Sequence, residues 1–245
     1  MDLSHLSVLE ERLGHAFRDR SLLLQAVTHR SYLNEHSDFA HEHNERLEFL
    51  GDAVLELVVT EHLYKTYPNP EGVLTNWRAA LVNAKTLAGI SRDLAFEEFL
   101  LLSKGEARDK DSKARMYILA NAIEAIIGAI YLDGGMKDAE IFIQAKILSI
   151  LPRIIELELY VDAKSKFQET AQEMLGITPT YKVLDEHGPD HQKEFTVGVY
   201  LERELVATGK GTSKQEAQLA AAEAGLQKKG WQGKVGAVAN APSIR

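Results

Sequence analysis

Within NERLEFLGDAVLEL, residues 44–57, the carboxylates Glu45, Glu48, Asp52 and Glu56 follow one another at three- and four-residue steps. On a helix of 3.6 residues per turn this spacing sets all four along one face. Like charges so spaced repel by roughly a few tenths of a kcal/mol per pair, and the first-turn position of Glu45 and Glu48 offsets part of this through the helix dipole. Such a stripe is either a solvated surface or a site for a cation, and carboxylate oxygens suit a hard one. Two neighbours sharpen the choice. Phe49 projects among the carboxylates instead of into the apolar side, which points to a partner surface. Gly51 sits in mid-helix, where glycine costs up to about 1 kcal/mol relative to alanine, and so points to close approach of something.

Leu47, Leu50, Val54, Leu57 and Val58 fall on the opposite side of the same helix and predict an amphipathic element anchored in a core. A second helix is predicted over MYILANAIEAIIGAIYLDGG, 116–135, where Leu119, Ile123, Ile126 and Ile130 make one apolar face and Asn121, Glu124 and Gly128 share another. Glu124 in so apolar a helix needs a partner, because a charge taken from water unpaired is expensive. The partner is either a basic side chain or a cation shared with the first acidic helix.

Upstream, LSVLEERLG closing on Gly14 and SLLLQAVTHRSYL with Ser21 as N-cap predict two helices, and HSDFAHEH follows as a polar lead-in to the acidic helix. Downstream, YPNPEG at 67–72 is a turn by its prolines and glycine. Residues 73–95 are predicted helical, with Leu81, Leu87, Ile90 and Leu94 in the core. SKGEARDKDSKAR, 103–115, is expected as a solvated charged loop whose five Lys and Arg are candidate phosphate contacts. Residues 137–160 form one more helix, which Pro152 kinks or restarts.

The chain has 36 Asp and Glu against 28 Lys and Arg, a formal net charge of −8 over 245 residues. A polyanion partner is disfavoured by that balance, so any nucleic-acid contact must be made by locally placed cations. The absence of cysteine excludes disulfides and thiolate metal sites and suits a reducing cytoplasm. The first residues lack the basic-then-apolar order of a secretory leader. The most apolar run, 117–132, is interrupted by Asn121 and Glu124 and falls short of the ~20 residues of a membrane span. It reads as a buried helix, and no membrane partner is expected.

Composition and period change near 158–163. The expected organisation is a helical domain over 1–157, a linker at 158–162, a second domain over 163–231, and a tail over 232–245 that lacks any period and is expected to be disordered. In the second domain KSKFQETAQEMLG and SKQEAQLAAAEAGLQKKG, the latter capped by Ser213, predict helices around three strands, TYKVLDEHG, EFTVGVYLE and ELVATGKG. Residues 162–230 hold eleven Asp and Glu against nine Lys and Arg, so a basic signal there is local.

NERLEFLGDAVL resembles the signature of the ribonuclease III family, and from about residue 5 to about residue 230 the chain is similar in order and length to the bacterial form. The second half, with GPDHQKEF and GKGTSKQEA, resembles a double-stranded-RNA-binding domain. The resemblance implies a multi-domain α and α+β architecture, an all-helical nuclease domain followed by an α-β-β-β-α RNA-binding domain. It implies an endoribonuclease that hydrolyses double-stranded RNA with Mg²⁺, or Mn²⁺ in its place, leaving 5′-phosphate and 3′-hydroxyl ends with short 3′ overhangs. A cytoplasmic homodimer is also implied, with Phe49 at the dimer interface and rRNA precursors, mRNA and other structured transcripts as substrates.

By the same resemblance Glu48, Asp52, Asn121 and Glu124 hold the metal, Asp52 and Glu124 being catalytic, while Glu45 and Glu71 lie at most around those ligands. Ser165, Gln168, Glu169 and Gln172 would meet one minor groove, His191 the next, and Lys210, Lys214 and Gln215 the phosphates between them. Two departures stand out. Asn121 occupies a position where the family most often has Asp, and around Thr212 and Gln215 the family often has a further Lys or Arg. Two other readings remain open: a non-catalytic RNA-binding or chaperoning protein whose helical domain only dimerises, and a helical metal-dependent nucleotide hydrolase with an unrelated α/β module. The intact Glu48, Asp52 and Glu124 favour cleavage over the first, and GPDHQKEF followed by GKGTSK favours RNA over the second.

Overall fold

The computed structural model describes residues 3–110, 112–158, 160, 162–189 and 193–231. The chain folds as two compact units, one up to Tyr160 and one from residue 161 onward. His191 and the tail over 232–245 lie outside the described residues.

The first unit is helical: α1 Leu3–Leu13, α2 Arg20–Ala26, α3 Arg30–Glu35, α4 Glu45–Thr66, α5 Glu71–Val82, α6 Ala84–Asp93, α7 Lys104–Arg108, α8 Lys113–Gly134, α9 Met136–Lys146 and α10 Leu151–Glu156, with 3-10 turns at Phe96–Phe99 and Leu148–Ile150. Local chemistry sets the boundaries. Asn83 ends α5 by donating to the carbonyls of Ala79 and Ala80, and starts α6 by accepting from the Thr86 amide at 2.9 Å. Pro152 sits in the first turn of α10, where its missing N–H costs nothing.

Several sequence expectations are corrected. Asp19, not Ser21, caps α2: its carboxylate accepts from the Ser21 amide at 2.9 Å, and a charged acceptor outcompetes the hydroxyl, which itself donates to Asp19. The single helix expected over 21–33 is broken at Thr28, whose backbone forms a parallel bridge with Leu101. The stretch 103–115 is not all loop. It contains α7 and the start of α8, and Arg115, 3% exposed, pairs with Glu97 and is withdrawn from any phosphate.

Helices α4 and α8 share the most extensive packing of this unit. From Ile118 to Ile130 α8 is buried nearly all round, as a helix apolar on most sides must be, and only Asn121 and Glu124 are half-buried there. It is long and apolar enough to cross a membrane by composition alone, yet 61% of that window is buried within the fold. At the crossing of α4 and α8, two glycines meet. A Cβ on Gly51 would stand 1.7 Å from the Glu124 carbonyl oxygen, and one on Gly128 would stand 2.2 Å from that of Leu47. The close approach that Gly51 foreshadowed is the backbone of α8.

In the second unit β1 Thr180–His187, β2 Glu194–Leu201 and β3 Glu204–Gly211 form an antiparallel sheet in that order, and α11 Ala163–Leu175 and α12 Lys214–Lys229 complete an α-β-β-β-α order. α12 packs on β2 and β3, and α11 packs on α12, around Phe167, Val197, Val199, Val206 and Leu226. The expected multi-domain α and α+β architecture is borne out.

Candidate active site and RNA-facing surface

The four-carboxylate stripe of α4 divides in two. Its ends are neutralised: Glu45 is 3.2 Å from Arg30, and Glu56 is 3.1 Å from Arg78. The middle is not. Among the described residues no ion pair reaches Glu48, Asp52 or Glu124.

The glycine-enabled crossing brings α8 to this unpaired middle. Asn121 donates a side-chain hydrogen bond to Glu48, and the charges of Asp52 and Glu48 act on Glu124. Burial, then Asp52, then Glu48 push the Glu124 carboxyl up to about 7. Burial also raises Glu48, with Glu45 and Asp52 adding to it and the Asn121 hydrogen bond opposing it. Asp52 is exposed. The donors are carboxylate and amide oxygens, the set a hard divalent cation takes. Among the described residues no three acidic or histidine side chains stand close enough for a ready-made metal cage. Glu71 accepts from Thr75 at 2.9 Å and is not among the charges acting on Glu48 or Glu124.

On the second unit, Ser165, Gln168, Glu169 and Gln172 are exposed along α11, and the last three line an open recess with Glu173. Asp162 caps this helix, accepting from the Lys164 and Ser165 amides at 3.0 Å and from the Ser165 hydroxyl at 2.6 Å. At the start of α12, Ser213 accepts from the Glu216 amide, and Glu216 accepts from the Thr212 amide and hydroxyl, so a carboxylate lies at the positive end of the helix. Lys210 pairs with Glu194 at 2.8 Å, Lys214 stands 5.6 Å from the centre of the Phe195 ring, and Gln215 is exposed.

A family model described as Ribonuclease-III-like matches residues 19–151, which include both α4 and α8. A second, the double-stranded RNA binding motif, matches residues 163–229. Ribonuclease 3 of Carboxydothermus hydrogenoformans is 44% identical over 93% of this chain and 97% of its own length. The chain belongs to the ribonuclease III family. The ribonuclease 3 of Nitratiruptor sp. is 41% identical over 92% of this chain and 97% of its own. Among solved structures, a nuclease domain of ribonuclease III from Campylobacter jejuni, described for flexibility in a region involved in dimer formation, is 40% identical, with a TM-score of 0.52 over 60% of this chain and 99% of that one.

Within this ribonuclease III chain, the structure brings Glu48, Asp52, Asn121 and Glu124 together and gives Glu45 an arginine partner at the edge of the group. Phe49, 81% exposed, stands in solvent as expected. Leu57 does not join the core: it is 57% exposed and lies with Phe49 and Tyr64, itself 80% exposed, within about 80° of one another around α4. Sequence reasoning missed this extension because Leu57 lies at the margin of the apolar stripe, next to Leu50 in angle, where spacing alone does not separate a buried residue from an exposed one. It also missed the ion pairs that remove Glu45 and Glu56 from the unpaired group. Arginines 15 to 22 residues away in sequence leave no local signal.

Proposed function

We propose that this double-stranded-RNA endoribonuclease cuts phosphodiester bonds with Mg²⁺ held by Glu48, Asp52, Asn121 and Glu124, and releases 5′-phosphate and 3′-hydroxyl ends. One observation carries the reading: across a glycine-to-glycine helix crossing Asp52 and Glu48 of α4 act on the half-buried Glu124 of α8, and among the described residues no basic side chain pairs with any of the three. A hard cation there supplies a polarised water and steadies the leaving oxygen. The chain's own part is to fix the donors. Asn121, which acts on Glu48 as a side-chain hydrogen-bond donor, would hold that carboxylate for the cation and could add its own carbonyl oxygen to the donor set. Asp52 and Glu124 are the catalytic pair, and both would hold the cation as carboxylates, Glu124 from a position where burial and its acidic neighbours favour the protonated form when no cation is bound.

Residues 163–231 grip the duplex, with Ser165, Gln168, Glu169, Gln172 and His191 on minor grooves and Lys210, Lys214 and Gln215 on phosphate; residues 1–157 carry the nuclease, and 158–162 link the two. The setting is the cytoplasm and the substrates are rRNA precursors and other structured transcripts. Incubating the protein with duplex and with single-stranded RNA, each with and without Mg²⁺, tests the reading. Cutting of the duplex only with Mg²⁺ is expected, and metal-independent cutting overturns it.

Asn121→Asp adds the charge the site lacks and is expected to lower the Mg²⁺ concentration for half-maximal cleavage severalfold, since cation affinity follows ligand charge. An unchanged or higher requirement would remove Asn121 from the metal's shell.

The exposed stripe of Phe49, Leu57 and Tyr64 supports a homodimer, in which two sites cut the two strands. Light scattering is expected to give twice the 27.3 kDa chain mass. Phe49→Glu is expected to halve it at micromolar concentration, and a monomeric parent that still makes paired cuts defeats the proposal.

A further inference from the structure

Lys210 is already occupied. The register of β2 and β3 sets it directly across from Thr196, with Glu194 as its diagonal neighbour on the same face of the sheet. Its Nζ donates to the Glu194 carboxylate at 2.8 Å. Glu194 is also the cross-strand partner of His187 on β1, whose Nε2 lies 3.4 Å away. The hydrogen bond holds the Glu194 carboxyl below its ordinary value and Lys210 above its own. Both side chains remain open to solvent, so a phosphate can reach the lysine without any rearrangement of the sheet.

We propose that Glu194 is an internal counterion which stands in for an RNA phosphate at Lys210, so that duplex binding exchanges one anion for another at this position. The inference rests on the reading of Lys210 as a phosphate contact. Its consequence is a brake with a thermodynamic signature. When a phosphate displaces Glu194, the RNA releases a counterion and the stranded carboxylate takes one up from solution, so the two nearly cancel. The domain thereby binds more weakly, and with a shallower salt dependence, than its count of lysines implies. Glu194 tunes RNA affinity without touching RNA.

The test uses the full-length protein in EDTA, so that no cutting intervenes, with a duplex long enough to span about 16 base pairs. Glu194→Gln is expected to tighten binding by about two- to fivefold at low salt, the range that exposed ion pairs cover. It is also expected to steepen the slope of log K against log salt by about one. Glu202→Gln makes the same charge change just past the far end of β2, roughly 25 Å along the strand, and is expected to change the slope little. In a Lys210→Gln background the gain from Glu194→Gln is expected to vanish. If Glu194→Gln and Glu202→Gln act alike, or if Lys210→Gln weakens binding while Glu194→Gln does nothing, the counterion role is overturned and the Lys210 contact stands. If Lys210→Gln leaves affinity unchanged, the phosphate contact itself is wrong, and the counterion role falls with it.

Discussion

Glu124→Gln is expected to reduce duplex cleavage by more than about a hundredfold, beyond what the loss of a residue that merely orients a metal ligand costs, while duplex binding stays at least as tight. The asymmetry follows from where the charge sits. Glu124 lies on α8 with Asp52 and Glu48 acting on it, and its removal takes a charge from the cation site without altering α11, the β1–β2–β3 sheet or α12. Cleavage and gel-shift measurements on the same preparation decide it, and turnover near the parent's rate would place the chemistry elsewhere. A second readout needs no RNA. A carboxyl raised from 4.5 to about 7 in the folded protein opposes folding wherever it is ionised. The opposition is complete above about pH 7, shrinks as the folded state takes up the proton on the way down, and is gone below 4.5, where the unfolded chain is protonated too. Without divalent metal, Glu124→Gln is therefore expected to melt above the parent at pH 8 and level with it at pH 4. A melting curve that is unchanged at pH 8 would mean that Glu124 carries no such burden.

What the sequence discloses about this site depends on the range over which each signal acts. The period of α4 exposes the carboxylates at their right spacing, and the lone Glu124 on an apolar helix announces a need for positive charge, because both are properties of a single helix. The resemblance to the ribonuclease III signature then joins α4 to α8, which periodicity by itself does not do. Charge balance is different. Glu45 and Glu56 look equivalent to Glu48 and Asp52 along the chain, and only the fold, by bringing Arg30 and Arg78 to them, separates the neutralised pair from the unpaired one. Arg115 shows the reverse error: set in a charged run, it reads as solvated, yet the first turn of α8 buries it against Glu97. Leu57 errs for a third reason, since an exposed apolar stripe and a core stripe have the same spacing until something is known of what faces them. In the second unit the strands and both helices are predictable from period and turn residues, whereas the pairing of Lys210 with Glu194 depends on register across a hairpin.

Gly51→Ala is expected to destabilise the helical unit and to disable the site together. In an open helix the same change gains up to about 1 kcal/mol from propensity. Here the new Cβ would stand 1.7 Å from the carbonyl oxygen of Glu124 and 2.8 Å from the amide nitrogen of Gly128, both backbone atoms that no rotamer change can move. α8 must shift away from α4, at an overpacking cost near the top of the usual range of about 1–3 kcal/mol, which leaves a net loss of roughly 2 kcal/mol after the propensity gain. Melting is expected to fall by roughly 4–8 °C for a chain of this size. Because the displaced segment is the turn that carries Glu124, its carboxylate moves off Asp52 and Glu48, and cleavage is expected to drop further than the stability loss explains at a temperature where the variant is fully folded. Gly89→Ala provides the contrast. It lies inside α6 with nothing within 4 Å of its would-be Cβ, and is expected to melt slightly above the parent with unaltered cleavage. If Gly51→Ala behaves as Gly89→Ala does, the two helices do not need the glycine contact, and the assembly of the site across that crossing is wrong.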